Sequence, residues 1–535
     1  MKNLPIGIQS FEKLCEGDYL YVDKTETIHR LITSGQVFFL SRPRRFGKSL
    51  LVSTLEAIFK GQKELFDGLW IQDKVDWTQL NHPVIRIDFG QTTNTTPQEL
   101  TDSLFCFLTD TASKYDIILG NTGLPSRFSE LIAKLHQSTG RQVVVLIDEY
   151  DKAILDNMSN TDVMQANKEV LHGFYQVLKA TDEHLRFVFL TGVSKFAGVS
   201  IFSGLNNLRD ITLLEEYTTI CGYTQAELEH YFSEYLPALA KHVGMTSSET
   251  MESICRWYDG YSWDGKTAIY NPFSTLLIFA NKEFGNYWFN TGTPTFLIKL
   301  LMQRDQLSSI LEPIVAEATE FNSFDPQEIS EIPLLFQTGY LTIKHKELIE
   351  GVPQYTLEMP NREVKESLLQ YLLNAYSRYP VGQESALMRR MQKQLLDNDA
   401  VGLEKSLREM LANIPYQLHI GKEAYYHSLL LLWLKLLGFD VAGEVNTNKG
   451  RIDAVWKIKE CMVIAEVKFQ VQEENISALL DKAIKQIKEK HYAERFDDGA
   501  STGSATESTN PVIKKVLLLG VAFAGKEIGC RMEEL

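Results

Sequence analysis

The sequence has few cysteines and no long apolar run. Its six cysteines are scattered over 535 residues, and none forms a C-x-x-C pair, so neither a zinc knuckle nor a disulfide framework is indicated. No apolar segment is long enough to span a bilayer, and no secretory signal opens the chain. These absences predict a reduced, cytoplasmic protein without a membrane partner. The length exceeds what one core usually contains, so we expect roughly two to four domains.

Basic residues are also in deficit. Lys and Arg number 54 against 69 Asp and Glu, which gives a net charge of −15. A protein that coats nucleic acid passively carries the opposite excess. A nuclease is not excluded by this charge, because its binding face can be basic locally while the acidic excess lies elsewhere.

The first 220 residues alternate between short apolar runs and segments with helical spacing. A helix is expected over 49–59, directly after the first apolar run. Buried strands are predicted at 36–41, 83–89, 143–148 and 185–192. Because strands that alternate with helices form a parallel sheet covered on both faces, the pattern predicts an α/β fold.

The alternation of strand and helix patterns ends near Thr224, where TQAE has the pattern of a helix capping box. A helical, aromatic-rich stretch follows to about residue 300. The runs 332–344 and 353–360 are interpreted as two strands of a winged-helix-like module, and more helix is expected over 361–410. The aromatics can form either a surface that stacks bases or, as we favour, the core of the helical part.

A last α/β domain is predicted from about residue 415. Its elements are an apolar helix (422–439), a hairpin of two strands (451–458 and 461–469), a basic amphipathic helix (481–496) and a final strand (514–523). The segment 497–510 is low-complexity and polar. The predicted domains are 1–223, a helical lid at 224–300, a winged-helix-like module at 301–360, a helical connector at 361–414, and 415–535.

The stretch SRPRRFGKSL, residues 41–50, lacks the first glycine of a phosphate-binding loop. Such a loop points backbone N–H groups into one concavity at a helix N-terminus, while a lysine adds charge and a hydroxyl holds magnesium. Gly47, Lys48 and Ser49 have the required positions between a strand and a helix, but Arg42 replaces the glycine. A GKS tripeptide without such a context is weak evidence.

The N–H groups from about Phe46 to Ser49 can still form the cradle without that glycine. Arg45 is assigned to the nucleotide with them, because the loop arginines can add positive charge near phosphate. The expected ligand is ATP with Mg²⁺.

An acidic pair follows about 100 residues later, at the end of the apolar run VVVLIDEYDKA. In nucleotide hydrolases the first acid, here Asp148, orients magnesium, and the second, Glu149, polarises the attacking water. Alone, the pair could equally be a helix cap and a solvated first-turn acid. With the loop upstream, it favours a nucleotide site. Thr191 and Ser194, at the end of a later strand, could sense the γ-phosphate or could simply end that strand, and we assign Ser194 to the site.

Five motifs, RPRRFGKSL, LIDEYDKAI, YNPFS, QTGYLT and MPNREV, together resemble the bacterial and archaeal predicted AAA-ATPase-like proteins. That family is related to the STAND-like ATPases, and its members commonly carry a C-terminal nuclease domain of the PD-(D/E)xK superfamily. The resemblance covers nearly the whole chain. An arginine-rich loop without its first glycine is usual there, and YVDKT (21–25) is typical of the N-terminus. The resemblance implies Lys48 and Ser49 as nucleotide residues and Asp148 and Glu149 as the acidic pair.

The last domain carries a second set of polar residues. Glu466 and Lys468 share one face of a strand because they are two residues apart, and Asp453 can reach that face if the two strands form a hairpin. Two carboxylates can bind a hard cation that activates water, while the lysine orients that water or offsets transition-state charge. The pattern D-x12-E-x-K is short, and by itself an amphipathic hairpin with a solvated face is favoured.

The order helix, strand, strand, helix resembles the PD-(D/E)xK nuclease core. This comparison implies Asp453, Glu466 and Lys468 as catalytic residues, and Glu423, Asp453 and Glu466 as ligands of Mg²⁺ or Mn²⁺. Gln486 and Tyr492 only approximate a motif of the exonuclease-type branch, and Glu444 is either a further ligand or a loop acid. Four lysines of the last helix could contact nucleic-acid phosphates or could form a solvated face: Lys482, Lys485, Lys488 and Lys490.

The sequence therefore predicts an enzyme with two activities. Its NTPase part would bind and hydrolyse ATP, and would gate or power a metal-dependent nuclease acting on nucleic acid, with DNA favoured. The alternative is a nucleotide-switched regulatory protein whose nuclease-like domain binds nucleic acid or a partner without cutting. Assembly into a homo-oligomer is left open.

Overall fold

The chain divides into two compact units, which are described separately. The first unit comprises Met1–Leu297 with Ile314–Lys365, and the second Ile298–Pro313 with Glu366–Leu535. The finer domain boundaries given above stay a prediction. The computed structural model describes residues 1–196, 207–288, 313–322, 330–377, 384–412, 430–431, 434, 441–447, 450–458, 460–470, 475–489, 515–524 and 527–535.

A five-stranded parallel sheet forms the centre of the first unit, with the strand order β2-β3-β4-β1-β5. Its strands are β1 (Val37–Ser41), β2 (Val84–Asp88), β3 (Val143–Asp148), β4 (Leu185–Gly192) and β5 (Arg209–Asp210). Strands β1 and β3 are buried at every position, as the apolar runs predict for a sheet covered on both faces. The four predicted strands are confirmed, whereas β5 was missed because two residues carry no periodicity.

Seven helices accompany this sheet among the described residues. They are α1 (Phe11–Glu16), α2 (Thr25–Ser34), α3 (Lys48–Phe59), α4 (Pro97–Lys114), α5 (Leu124–Thr139), α6 (Lys152–Leu155) and α7 (Thr161–Ala180). Helix α3 is rich in apolar residues and is buried along most of its length, so it lies against the sheet as a core helix. This fixes the position of its N-terminus at the carboxyl end of β1.

Four further helices of the first unit form the predicted helical part: α8 (Gln225–Tyr231), α9 (Leu236–Val243), α10 (Ser247–Tyr258) and α11 (Pro272–Asn281). Thr224 and Glu227 make the reciprocal bonds of a capping box at the start of α8, as predicted. The rings of Phe232 and Phe279 stack with centroids 4.8 Å apart, and Tyr258 is buried in the same cluster. Phe232, Tyr258 and Phe279 are therefore core residues of this part.

A small antiparallel sheet completes the first unit, with the order β6-β8-β7. Its elements are β6 (Ile314–Glu317), α12 (Ala318–Phe321), α13 (Glu331–Thr338), β7 (Thr342–Ile349) and β8 (Val352–Glu358). The prediction of a strand from residue 332 is wrong, because EIPLLFQT forms α13 and the strand starts only at Thr342. A continuous apolar run of this length does not distinguish a buried helix from a strand, and Gly339 at φ 91° ends the helix.

The second unit contains a mixed five-stranded sheet, ordered β13-β12-β11-β10-β9, in which β11 and β12 are parallel. Its strands are β9 (Val441–Thr447), β10 (Gly450–Ile458), β11 (Cys461–Phe469), β12 (Lys515–Ala524) and β13 (Glu527–Glu534). The predicted hairpin is confirmed, since β10 and β11 pair from Ala454↔Ala465 to Ile458↔Cys461. Strands β9 and β13 were missed, so the prediction that 514–523 is the final strand is wrong.

The helices with described bounds after residue 361 are α14 (Arg362–Ser377), which begins in the first unit, α15 (Glu384–Leu396), α16 (Ala400–Ala412) and α17 (Ile476–Glu489). Helix α17 is strongly amphipathic and buries Ala483 and Ile484, which lie against Gly520 of β12. Of the predicted apolar helix, only the helical and buried Leu430, Leu431 and Leu434 are described. The polar segment 497–510 lies outside the described residues. No described helix combines the length and apolar character needed to cross a bilayer.

Candidate nucleotide and nuclease sites

The arginine-rich loop connects the end of β1 at Ser41 to the start of α3 at Lys48. Two of its residues have left-handed backbone angles, Arg45 with φ 69° and Gly47 with φ 91°. Glycine adopts this conformation without strain, whereas arginine does so at a cost. None of the described side chains caps α3, so the N–H groups of its first turn are available to an anion.

The Lys48 side chain folds back over the loop. Its Nζ donates to the carbonyl oxygens of Arg42 at 2.9 Å and Pro43 at 3.0 Å, and the side chain is buried. Burial lowers the pKa of Lys48, and the carboxylates of Asp148 and Glu149 partly offset that change. The ammonium is thus held at the centre of the loop, close to the acidic pair.

The Arg42 side chain is directed into the protein interior. Its guanidinium is fully buried and donates to the carbonyls of Ser41, Thr212 and Tyr217 at 2.9, 2.9 and 3.2 Å. The guanidinium carbon lies 4.0 Å from the centre of the Trp263 ring. The expectation that the loop arginines add charge near the phosphates is not met at Arg42, since its Nη1 and Nη2 groups bind backbone carbonyls.

The acidic pair lies at the carboxyl end of β3. Asp148 is adjacent to Asp88 in the register of β2 and β3 and is completely buried. Its Oδ1 accepts from the Glu149 N–H at 3.1 Å, and its Oδ2 has no hydrogen-bond partner among the described residues. Burial raises the pKa of Asp148, and the Ser49 hydroxyl and Lys48 ammonium partly offset the rise. A buried carboxylate oxygen without a donor suits a hard cation.

A polar cavity of about 550 Å³ opens at this edge of the sheet. Among its lining residues are Arg44, Arg45, Lys48, Ser49, Asp88 and Glu149. A smaller pocket of about 70 Å³ lies beside it, and Gly47 lines both. The second pocket is mainly apolar, and Tyr21, Val22, Ile28, Leu51 and Cys221 contribute to it. A polar chamber joined to an apolar slot matches the two chemical halves of a nucleotide, its phosphates and its base.

Three of the predicted nucleotide residues, Phe46, Asp148 and Ser194, are not among the lining residues of the larger cavity, and Phe46 lines the smaller apolar pocket instead. Phe46 is buried, with its ring centroid 4.8 Å from that of Tyr261 and 5.3 Å from that of Trp263. Ser194 is also buried, and it is its backbone N–H that donates to Asp151 Oδ2, at 2.6 Å. Ser194 therefore fixes a neighbouring carboxylate through its backbone.

Sequence reasoning missed two acids that line the cavity, Asp88 and Asp151. Asp151 accepts from the N–H groups of Val193 and Ser194, and burial raises its pKa to about 6. Both could have been found, since Asp88 ends a predicted strand and Asp151 belongs to the DEYD run. The carboxyl ends of parallel strands meet at one edge, which brings such residues together.

The second candidate site lies on the sheet of the second unit. The Asp453 Oδ2 accepts from the Val467 N–H at 2.8 Å, and continuing the hairpin register places Asp453 opposite Glu466. Lys468 Nζ lies 2.9 Å from Glu466 Oε1, and the Glu466 side chain is almost completely buried. The structure thus brings the three predicted residues together on adjacent strands.

Gln486 of α17 completes this cluster by donating from Nε2 to Glu466 Oε1. Glu423, Tyr492 and Lys490 lie outside the described residues, and Glu444 is described only as a backbone position of β9. Among described side chains, no three His, Cys, Asp or Glu are grouped as a metal site, so the pair Asp453 and Glu466 would need further ligands.

Two lysines of α17 have acidic partners. Lys488 pairs with Glu533 at 2.5 Å and Lys485 with Glu489 at 3.4 Å, all on exposed side chains or close to the surface. Such exposed pairs are weak, so they could be exchanged for phosphate contacts. Both interpretations of this helix face therefore stay predictions.

A parallel sheet that carries a GKS loop at a helix N-terminus defines a fold of the P-loop NTPase class, here joined in one chain to a second α/β domain. The family described as "Predicted AAA-ATPase" matches residues 5–202, and the PD-(D/E)XK nuclease superfamily matches residues 421–531. The chain belongs to the predicted AAA-ATPase-like family and carries a C-terminal domain of the PD-(D/E)XK nuclease superfamily.

The chain is similar to a relative over nearly its whole length and to a solved structure over part of it. An uncharacterized protein in the vnfD 5' region of Azotobacter chroococcum mcd 1 is 40% identical over 504 residues, which cover 92% of this chain and 94% of that protein. The Aeropyrum pernix ORC2 protein, solved as ADPNP–ADP complexes, shares 10% identity with a TM-score of 0.26. That match covers 65% of this chain and 93% of the ORC2 chain.

Proposed function

We propose that the first unit binds and hydrolyses ATP, and that its nucleotide state gates or powers a metal-dependent nuclease in the second unit that acts on nucleic acid, with DNA favoured. The proposal of ATP binding and hydrolysis rests on the polar cavity at the carboxyl edge of the parallel sheet. It combines Lys48, Ser49 and Glu149 with an apolar pocket that adjoins it at Gly47.

The residues of this cavity have distinct roles in the proposal. The N–H groups at the start of α3 and the Lys48 ammonium bind the phosphates, and the apolar pocket takes the base. Ser49 and the buried Asp148 hold Mg²⁺, which when bound neutralises charge on the phosphate oxygens. Glu149 accepts a proton from the attacking water, since its carboxylate lines the cavity beside Lys48.

In the second unit, Asp453 and Glu466 are the proposed ligands of Mg²⁺ or Mn²⁺, which when bound activates a water for attack on a phosphodiester. The Lys468 ammonium lies 2.9 Å from Glu466 and is partly exposed, so it can reach both a ligand and the scissile phosphate. Gln486 holds the Glu466 carboxylate from the helix side. This set is supported by the superfamily match at residues 421–531.

A plasmid assay with Mg²⁺ or Mn²⁺, each with and without ATP, tests the whole proposal. We expect cleavage by the wild type and by the surface control Asp481→Ala, and none by Asp453→Ala. Glu149→Gln should bind ATP but no longer hydrolyse it, and cleavage should lose its response to ATP. If wild type and Asp453→Ala act alike on the plasmid, the nuclease assignment is wrong. ATP turnover with intact DNA would instead support the nucleotide-switched regulatory protein.

A further inference from the structure

The arginine-rich loop is held from outside the parallel-sheet domain by a tryptophan. The indole Nε1–H of Trp288 donates to the carbonyl oxygen of Arg44 at 3.0 Å, and the side chain is buried. Its ring packs edge-on against Tyr340, with centroids 5.4 Å apart. Arg44 lines the phosphate cavity. The hydrogen bond therefore fixes the peptide orientation of a loop in which Arg42 has replaced the usual glycine.

A buried glutamine holds the second loop at the cavity. Gln337, at the end of α13, accepts from the Lys195 N–H at 2.9 Å through Oε1, and its Nε2 donates to Asn322 O at 2.7 Å and Lys195 O at 3.4 Å. Lys195 directly follows Ser194, whose N–H holds the Asp151 carboxylate. The buried amide of Gln337 forms hydrogen bonds through both its oxygen and its nitrogen. It holds its partners firmly, because leaving a buried donor or acceptor without a partner costs free energy.

Gly339 lets the segment that carries Gln337 pass close to both the phosphate loop and Trp288. Its φ is +91°, and a Cβ there would lie 2.8 Å from the Pro43 Cβ and 3.3 Å from the Trp288 ring. A side chain at this position would push the segment off the beginning of the phosphate loop. The motif QTGYLT thus brings Gln337 to one loop of the cavity and Gly339 to the other.

We propose that Trp288 and Gln337 are positioning residues for ATP binding and hydrolysis. Trp288 orients the loop that binds the phosphates, so it acts mainly on nucleotide affinity. Gln337 fixes the segment that holds Asp151, which lines the polar cavity but not the base pocket, so it acts mainly on the hydrolysis rate. The proposal rests on the ATPase function proposed above and assigns a role to residues outside the segment matched as predicted AAA-ATPase, residues 5–202.

The test measures ADP affinity by calorimetry, together with kcat and KM for ATP hydrolysis, on the full chain. Gln337→Met should lower kcat roughly tenfold with ADP affinity within about twofold, as the loss of a buried hydrogen-bonded tie implies. Trp288→Phe should weaken ADP binding roughly fivefold to tenfold and leave kcat nearly unchanged. Gln337→Glu keeps the acceptor for the Lys195 N–H, so it should retain more of kcat than Gln337→Met.

Two control variants separate positioning from general destabilisation. Trp77→Phe removes an indole bond to the Gln72 carbonyl away from the cavity, and Gln98→Met alters an exposed residue of α4. Both should leave all constants unchanged. If the wild type is active and the Trp288 and Gln337 variants match it, this inference is wrong while the proposed function stands. The same holds if the variants lose ADP affinity and kcat together, in step with their melting temperatures. A wild type that neither binds ADP nor hydrolyses ATP overturns the proposed function, and this inference with it.

Discussion

The ammonium of Lys48 lies 2.9 Å from the carbonyl oxygen of Arg42 and donates a hydrogen bond to it. A second bond of 3.0 Å runs to the Pro43 carbonyl. The lysine of the GKS motif is thus held by its own loop at the edge of the polar cavity. Binding of a nucleotide would exchange neutral carbonyl acceptors for charged phosphate oxygens, which form stronger hydrogen bonds.

Replacing this lysine should strongly weaken nucleotide binding without unfolding the chain. We expect Lys48→Ala to weaken ATP and ADP binding roughly tenfold to a hundredfold, the effect of losing a hydrogen bond to a charged group. The exposed Lys13→Ala, which removes an equal charge from α1, should bind as the wild type does. Calorimetric titration with both nucleotides makes the comparison. Affinity retained in Lys48→Ala would mean that the basic loop serves another ligand.

Restoring the glycine that phosphate loops usually have should harm this protein. In Arg42→Gly the carbonyls of Ser41, Thr212 and Tyr217 lose their shared donor, and the Trp263 face loses its cation. We expect a melting temperature several degrees lower, since unsatisfied buried acceptors cost about 1–3 kcal/mol each, and no gain in ATP affinity.

Arg44→Ala is the informative comparison for Arg42→Gly, because that exposed arginine lines the cavity. It should weaken ATP binding while the melting temperature stays within about two degrees, as is usual for a surface change. Tighter ATP binding by Arg42→Gly at unchanged stability would contradict the interpretation that Arg42 stabilises the protein by binding buried carbonyls.

Arg42 also shows where sequence reasoning stops. Local patterns were enough to place the GKS loop, its flanking strand and helix, and the acidic pair. Short runs of sequence determine their burial and backbone geometry. The direction of an arginine side chain depends on Thr212, Tyr217 and Trp263, which are distant in sequence. The bonds of Asp151 to the N–H groups that follow β4 also depend on residues distant in sequence, although the DEYD run could have identified this acid. The run of α13 was predicted as a strand for a different reason, because a short apolar run does not distinguish a buried helix from a strand. At the second site, residue spacing predicted that Asp453 and Glu466 lie on paired strands, since a hairpin register is a local property, but spacing alone did not distinguish a metal site from a solvated face.

A buried carboxylate should make the stability of the first unit depend on pH. Glu363 is fully buried, accepts from the Trp288 N–H at 2.7 Å and the Ser274 hydroxyl at 2.8 Å, and burial raises its pKa to about 7. Below its ordinary pKa of 4.5 the group is protonated in the folded and the unfolded chain. Between pH 4.5 and 7 only the unfolded chain loses the proton, so the free energy of unfolding falls as pH rises.

Glu363→Gln should reduce this dependence. Between pH 4.5 and 8, melting temperatures should decline in the wild type and less steeply in the variant, because the raised pKa values of Asp148 and Asp151 maintain part of the slope. The difference in unfolding free energy should reach up to about 3 kcal/mol by pH 7. The exposed Glu347→Gln serves as the control, and its slope should equal that of the wild type. Equal slopes for Glu363→Gln and the wild type would show that the carboxylate is already ionised in the folded protein.

Lys468 should be required for cleavage but not for metal binding. Its ammonium pairs with Glu466 Oε1 at 2.9 Å, where it competes with a cation for that oxygen.

Lys468→Met keeps the length of the side chain and removes the charge, so the affinity for Mn²⁺ should stay equal or rise. Plasmid cleavage should fall roughly a hundredfold, the usual effect of losing a group that stabilises transition-state charge. Lys405→Met removes a charge from an exposed position of α16 and should affect neither quantity beyond about twofold, as is usual for a surface change. Calorimetry with Mn²⁺ and gel assays of the same preparations separate the two effects. Cleavage by Lys468→Met at the wild-type rate would remove the lysine from the reaction, whereas a parallel loss of Mn²⁺ affinity would make it a residue that holds Glu466 in place.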